Sequence, residues 1–259
     1  MCQIFNRVIY FAPQRMHNRI MANDDPQDRG GIIGGALTVA LLITLAVQNA
    51  VPPMATDMYS AAFPQITVDL ATNSTMLGFT LTTFFVGFAT GQVLGGAISD
   101  QIGRRRPIVA GGIIALVGSM ICVFAPGIWV LLVGRVFQGL GGGIASSVAR
   151  AILVDVAHGK TLARAMSLIQ AIVGFAPMLA PVLGAFIITH ATWRVVFWAL
   201  AAFTLLMAAL AWFVVPESLP KERRHPGGIS RFFQGLVQVV RIRPFVGFML
   251  TNAFSSFCM

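Results

Sequence analysis

Charged residues are scarce in this sequence. Asp, Glu, Lys and Arg make up 10% of the 259 residues, whereas hydrophobic residues make up 56%. That balance excludes an ordinary soluble domain, in which about a quarter of the residues are charged. Acidic residues are the rarest, at nine against 18 basic ones. The basic residues are distributed among the links between apolar stretches and do not form one patch, so we expect no nucleic-acid partner.

Cysteine and histidine are also few and dispersed. The three cysteines, Cys2, Cys122 and Cys258, are too far apart for a metal knuckle or a redox pair. The four histidines are scattered among the hydrophilic edges of the chain, so we expect no metal site and no Ser/His/Asp constellation. Because no edge gathers a nucleophile, a base and an orienting group, the sequence does not predict an enzyme.

Long apolar runs dominate instead, and each of six is long enough to cross a bilayer. We predict an all-α integral membrane protein with spans at about 32–59, 76–98, 107–124, 128–154, 165–189 and 195–215. We expect a tail at 1–30, a six-helix bundle at 31–215, a basic central loop at 216–244, and at 245–259 the start of a truncated seventh helix. Met1, Met16 and Met21 are alternative starts.

The basic residues predict the topology. All but two of the 18 fall in the tail, in the link between spans two and three, at the end of span four with its loop, and in the central loop. The third of these groups comprises Arg150, at the end of span four, with Lys160 and Arg164, which we assign together with His158 to a hydrophilic loop before span five. By the positive-inside rule the amino terminus lies in the cytoplasm. The two exceptions are Arg135, inside span four, and Arg194, in a link assigned to the outside.

Two ionisable residues inside the spans are candidate functional residues, because such groups are costly in a membrane. Asp57 follows Pro52 and Pro53, which strain the outer half of span one. Arg135 lies about two turns into span four, and Gln138 lies about one turn further along the same helix face.

Glycine and proline spacing indicates close helix packing. Gly87, Gly91 and Gly95 recur at every fourth residue of span two, so they share a face that another helix can approach. In span five, Pro177 and Pro181 lie four residues apart between two glycines, Gly174 and Gly184. Such an element is bendable and packs closely.

The link between spans two and three carries a tight motif, made of Gly96, Asp100, Gly103, Arg104 and Arg105. In that order and spacing it resembles the loop signature of the major facilitator superfamily, from which it departs at Gln101. Four further stretches resemble the Bcr/CflA branch of drug:proton antiporters: TDMYSAAFP at 56–64, RVFQGLGGG at 135–143, GFAPMLAPVLGA at 174–185, and WRVVFW with PESLP.

The resemblance implies the amino-terminal half of a transporter, built from two three-helix repeats that rock against a second half. The implied activity is proton-coupled export of small lipophilic or cationic drugs across the bacterial cytoplasmic (inner) membrane, driven by the proton gradient without a cofactor. Asp57 is the leading proton-coupling candidate. Arg135 resembles the family's buried arginine of the fourth helix, and Gln138 accompanies it. The prolines of span five resemble the antiporter motif, which favours export.

The same resemblance suggests a latch. Asp100, Arg104 and Arg105 are expected to hold the outward-open state, with Asp155 as the available acidic partner. We further expect the face with Gly87, Gly91 and Gly95 to meet the other half.

Two alternatives remain open. One is a metabolite or sugar porter of the same superfamily, because the loop motif is shared with importers. The other is a truncated membrane fragment or interaction module that does not transport. In either transport reading, a second six-helix half or a second copy is the expected partner, together with the lipid bilayer. The sequence does not identify the substrate.

Overall fold

The computed structural model describes residues 38–219, together with residues 247 and 251. The predicted tail at 1–30, most of the predicted loop at 216–244 and nearly all of the apolar run at 245–259 lie outside these described residues. Between residues 38 and 219 the chain forms eight helices: α1 (Val39–Asn49), α2 (Val51–Ser60), α3 (Phe63–Asp69), α4 (Ser74–Ile102), α5 (Arg105–Val123), α6 (Ile128–Val156), α7 (Gly159–His190) and α8 (Trp193–Val214).

The predicted six-span bundle is confirmed. Helices α4 to α8 are each long and apolar enough to cross a membrane, and α1 with α2 forms one further span that bends by 44° at Ala50. The bend follows from Pro52 and Pro53 in the first turn of α2. Neither proline has an N–H to donate to the carbonyls four residues earlier, so the hydrogen-bonded ladder is interrupted there.

One predicted boundary is wrong. Residues 158–164 were expected to form a hydrophilic loop, but α7 already begins at Gly159, and Lys160 and Arg164 lie in its first two turns. Gly159 has a φ of +54°, a conformation that favours glycine. The residues that follow it are good helix formers, so the helix extends beyond the apolar stretch that hydropathy detects.

Helices α4 and α6 are in backbone contact along their length. A Cβ atom at Gly87 or Gly91 would overlap the carbonyl oxygen of Val136 or Leu140 on α6. From the other side, a Cβ at Gly139 would overlap the carbonyl oxygen of Phe84 on α4. The expectation that the Gly87, Gly91 and Gly95 face meets the other half is therefore wrong, because α6 of the same bundle occupies that face.

The buried apolar residues form two clusters at different heights of the bundle. One contains Leu45 of α1, Ile152 of α6 and Met207 of α8. The other contains Tyr59 of α2, Phe84 of α4 and Phe197 of α8. We call the end that carries Arg104 and Asp155 the basic end, and the end that carries Asp69 and Trp193 the distal end.

The close contact between α4 and α6 predicts that an added methyl group destabilises the protein at one glycine of α4 but not at another. Gly91→Ala should lower the thermal stability of the purified protein, because its Cβ meets backbone atoms that cannot rotate away, and overpacking costs about 1–3 kcal/mol. Gly78→Ala is the matched control, since nothing lies within 4 Å of a Cβ there. Thermal unfolding in detergent compares the two. Equal melting temperatures for both variants would contradict the close contact.

Candidate functional site

Arg135 is completely buried in the middle of the bundle, with 0% of its surface exposed. Its Nη1 donates to the carbonyl oxygen of Ala55 at 2.8 Å and to Oε1 of Gln138 at 2.7 Å. The guanidinium carbon lies 4.4 Å from the ring centre of Tyr59 and 4.8 Å from that of Phe84. Two aromatic faces therefore surround the charge in place of a carboxylate.

Part of this guanidinium has no partner. Nε and Nη2 of Arg135 make no hydrogen bond to any described residue. Leaving a buried donor unpaired costs free energy, and more so when the group is charged. A charged group with unpaired buried donors is a candidate functional residue.

A hydrogen-bonded chain orients the arginine from α5. Nε2 of Gln138 donates to Oγ of Ser119 at 2.9 Å, and that hydroxyl donates to the carbonyl of Ala115 at 2.9 Å. Sequence reasoning found Gln138 but missed Ser119. The available signal was a hydroxyl group in an otherwise apolar span. Pairing it with Gln138 also required knowing that this side of α5 faces α6.

Asp57 lies on α2 and is half-buried. Its Oδ1 accepts a hydrogen bond from the hydroxyl of Thr56 at 3.0 Å. No hydrogen bond or ion pair joins Asp57 to Arg135, although both lie in the described part of the chain. The link between them is indirect, because the carbonyl that Arg135 contacts belongs to Ala55, two residues before the acid.

At the basic end, Arg104 joins Asp100 of the loop motif to Asp155 near the end of α6. Its Nη1 lies 2.6 Å from Asp100 and 2.7 Å from the hydroxyl of Ser99, and its Nε lies 2.9 Å from Oδ2 of Asp155. The hydroxyl of Ser99 also donates to the carbonyl of Gly96. Burial lowers the pKa of Arg104, but the hydrogen bonds with Asp155 and Asp100 outweigh it, so the pKa stays above its usual range.

The turn that presents Arg104 depends on two further residues. Gly103 ends α4 with a φ of +98°, which an L side chain rarely adopts. The backbone N–H of Arg104 donates to Oε1 of Glu217 at 2.7 Å. Glu217 was assigned to the central loop by its sequence position, so this tie between the end of α8 and the loop motif was missed.

Arg105 takes no part in that acid cluster. Its Nη2 donates to the carbonyl of Trp212 at 2.8 Å, and its guanidinium lies 5.6 Å from the Trp212 ring centre. Arg105 therefore fastens α5 to α8, a different contact from that of Arg104.

The glycines and prolines of span five lie on one continuous helix, α7. Gly184 packs against the backbone of Met58 on α2, whereas a Cβ at Gly174 would meet nothing within 4 Å. Pro177 and Pro181 are exposed on this bundle. The motif thus splits into a packed end and an open end.

A second charged cluster closes the distal end, and sequence reasoning did not identify it. Oδ2 of Asp69 accepts from Nε1 of Trp193 at 2.8 Å and from Nη1 of Arg194 at 2.7 Å. Nη2 of Arg194 also lies 3.4 Å from the carbonyl of Ala125. The hydrogen bonds from Trp193 and then Arg194 lower the pKa of Asp69. A cleft of about 550 Å³ borders this cluster, lined by α3 and the start of α8.

The family model of the Major Facilitator Superfamily matches residues 45–259. This chain belongs to the major facilitator superfamily. Its relatives are transporters and not enzymes, and the chain is a multi-pass membrane protein.

Two curated relatives and one solved structure illustrate the similarity. The bicyclomycin resistance protein homolog of Haemophilus influenzae is 28% identical over 218 residues, which are 84% of this chain and 55% of that protein. Multidrug resistance protein MdtL of Citrobacter koseri is 33% identical over 168 residues, covering 65% of this chain and 43% of MdtL. The proton:xylose symporter XylE superposes with a TM-score of 0.63 at 18% identity, covering 78% of this chain and 52% of XylE, which shows the shared fold. The chain spans about half the length of the curated relatives it matches.

The basic-end cluster predicts that Arg104 cannot be replaced by another cation. Arg104→Lys should lower the melting temperature of the purified protein, because one ammonium group cannot reach Asp100, Asp155 and Ser99 together. Arg106→Lys is the control, since Arg106 is exposed at the same turn. A loss of stability in Arg106→Lys as large as in Arg104→Lys would contradict a specific cluster.

The distal cluster predicts a pH-dependent contribution to stability. Because the folded-state pKa of Asp69 lies below its ordinary value of 3.8, its stabilising effect is present above that pH and is lost as the pH falls through the folded-state pKa. Asp69→Asn should therefore lower the melting temperature by a constant amount from pH 7 to about pH 5, and by less below about pH 4. Melting curves across pH 3–7 measure the difference, and a difference that grows towards low pH would contradict the assignment.

Proposed function

We propose that this chain forms the amino-terminal half of a proton-coupled multidrug exporter of the Bcr/CflA type. It would lie in the bacterial inner membrane with its amino terminus in the cytoplasm, and it would export small lipophilic or cationic drugs by alternating access. The central observation in support is the buried Arg135, held beside a broken span by aromatic rings and a carbonyl, with two donor groups unpaired. The names of the two resistance proteins above support the substrate class.

Proton coupling would use Asp57 and Arg135 as an alternating pair. In a low-dielectric interior, a carboxylate and a guanidinium attract strongly, whereas a protonated acid does not. The Ala55 carbonyl already ties Arg135 to the turn of α2 that carries Asp57. Ionised Asp57 would draw on the free Nε and Nη2 donors, and protonation or a competing cationic drug would release them. Gln138 and Ser119 would keep the guanidinium in place throughout.

The conformational latch would be the basic-end cluster. Arg104 with Asp100 and Asp155 ties together the ends of α4, α5 and α6. The Asp100 side chain remains 50% exposed, so it is accessible to the amino terminus of a helix in a second half, or in a second copy of this chain. Such a contact would close the cytoplasmic side and hold the outward-open state.

The decisive experiment is a drug-susceptibility panel in a hypersensitive bacterial strain, using the protein expressed from its own gene. Expression should raise drug tolerance, and a proton uncoupler should abolish intracellular drug exclusion in a fluorescent-dye assay. Reading the downstream nucleotide sequence for six further apolar spans shows whether a second half accompanies the chain.

Asp57 gives the sharpest variant. Asp57→Asn should reduce drug tolerance to that of the empty vector, because the amide cannot exchange a proton, whereas Asp57→Glu should retain part of the activity. Full tolerance in Asp57→Asn contradicts the coupling role. Absence of tolerance in the unmodified protein across the whole panel would favour a metabolite porter or a fragment that does not transport.

A further inference from the structure

Arg150 lies inside α6, six residues before the helix ends at Val156. At a rise of 1.5 Å per residue its Cα is about 9 Å from that end. An arginine that only anchors a helix at the membrane surface extends towards the surface. Arg150 does the opposite, because its Nη2 lies 3.2 Å from the hydroxyl of Ser146 and its Nε 3.4 Å from the Ser146 carbonyl, one turn deeper.

Ser146 connects this arginine to the break in the first span. Its hydroxyl donates to Oδ1 of Asn49 at 3.1 Å, and Asn49 is the last residue of α1 before the bend. The Asn49 amide donates in turn to the carbonyl of Leu45 at 2.8 Å, which fixes its orientation. Asn49 therefore turns its side-chain carbonyl oxygen towards Ser146, and this hydrogen bond fixes the serine hydroxyl beside the guanidinium of Arg150.

Ser146 lies between Arg150 and the middle of the bundle. Gly142, the central residue of α6, packs against Val51, the first residue after the break. Ser146 is one turn from Gly142, or about 6 Å along the axis. In transporters of this kind, substrate sites form near the midplane where a membrane helix is interrupted.

The guanidinium of Arg150 is open to a ligand. Arg150 is exposed on this bundle, and the ion pairs among the described residues do not include it. Its Nη1 makes no hydrogen bond to a described residue. Ser147, three residues before it, packs against α4 at Gly95, whereas Ser146 faces α1. Arg150, one turn beyond both serines, therefore lies between the sides of α6 that face α1 and α4.

We propose that Arg150 and Ser146 form a substrate subsite that binds a carboxylate on the transported molecule. This subsite rests on the proposed export function. It adds amphiphilic acids to the expected substrates, which were otherwise lipophilic or cationic drugs. A guanidinium offers two parallel N–H groups to a carboxylate, and the Ser146 hydroxyl orients it. Lysine has a single ammonium group and cannot reproduce that fork.

The test compares three drugs of different charge in a hypersensitive strain: nalidixate as the acid, chloramphenicol as the neutral compound and tetraphenylphosphonium as the cation. Arg150→Gln should lower the tolerance to nalidixate about tenfold, the effect of losing one charge-assisted hydrogen bond. It should leave the other two tolerances unchanged. Arg150→Lys should fall between Arg150→Gln and the unmodified protein. Arg106→Gln, which removes an exposed charge, is the control and should match the unmodified protein.

A binding measurement separates this proposal from the export function. Purified protein in phosphatidylcholine nanodiscs should be thermally stabilised by nalidixate, and Arg150→Gln should lose that stabilisation. If the unmodified protein exports none of the three drugs, the export proposal fails while this binding result still decides the subsite. Equal loss of all three tolerances in Arg150→Gln overturns the subsite, because it indicates a structural role. Stabilisation by added phosphatidylglycerol but not by nalidixate also overturns it, because the arginine then binds lipid phosphate.

Discussion

The backbone contact between α4 and α6 is the constraint on which the centre of this structure depends. Inside a membrane the hydrophobic effect does not drive helices together, so they associate by close packing and interhelical hydrogen bonds. Gly87 and Gly91 let α6 approach, and Gly139 lets α6 accept the backbone at Phe84. The same approach brings the Phe84 ring against the Arg135 guanidinium. A glycine pattern therefore sets the distance at which a buried charge meets its aromatic neighbour.

The two ends of the bundle fasten it in different ways. At the basic end, Arg104 joins Asp100 and Asp155 across α4, α5 and α6, and Glu217 adds the segment after α8. At the distal end, Asp69 joins α3 to the start of α8 through Trp193 and Arg194. Between these ends, the buried polar groups are linked chiefly by neutral hydrogen bonds and ring contacts. Acid–base pairs are thus concentrated where helices end, and the fully buried Arg135 is neutralised by no described acid.

The sequence was sufficient for the spans, for the break in the first span and for the candidate residues Asp57, Arg135 and Gln138. The spans follow from apolar length, and the break follows from adjacent prolines. Asp57 and Arg135 follow from the free-energy cost of an ionisable residue inside a span, and Gln138 follows from its spacing of one turn from Arg135. It was not sufficient for Ser119 or Glu217, because their roles depend on which neighbouring helix a side chain faces. Arg150 was counted among the basic residues that set the topology, at the end of span four, whereas its side chain points one turn inward to Ser146. The glycine repeat predicted that a helix would approach α4, but not that the helix would be α6.

The two prolines of α7 leave backbone carbonyls without hydrogen-bond donors on one side of the bundle. Without N–H groups, Pro177 and Pro181 leave the carbonyls of Val173 and Pro177 without their usual partners four residues on. Hydrocarbon offers no substitute donor, so such a face is stable only against protein or water. Both prolines are exposed on this bundle, so donors for those carbonyls would have to come from water or from a second half packed against this side of α7.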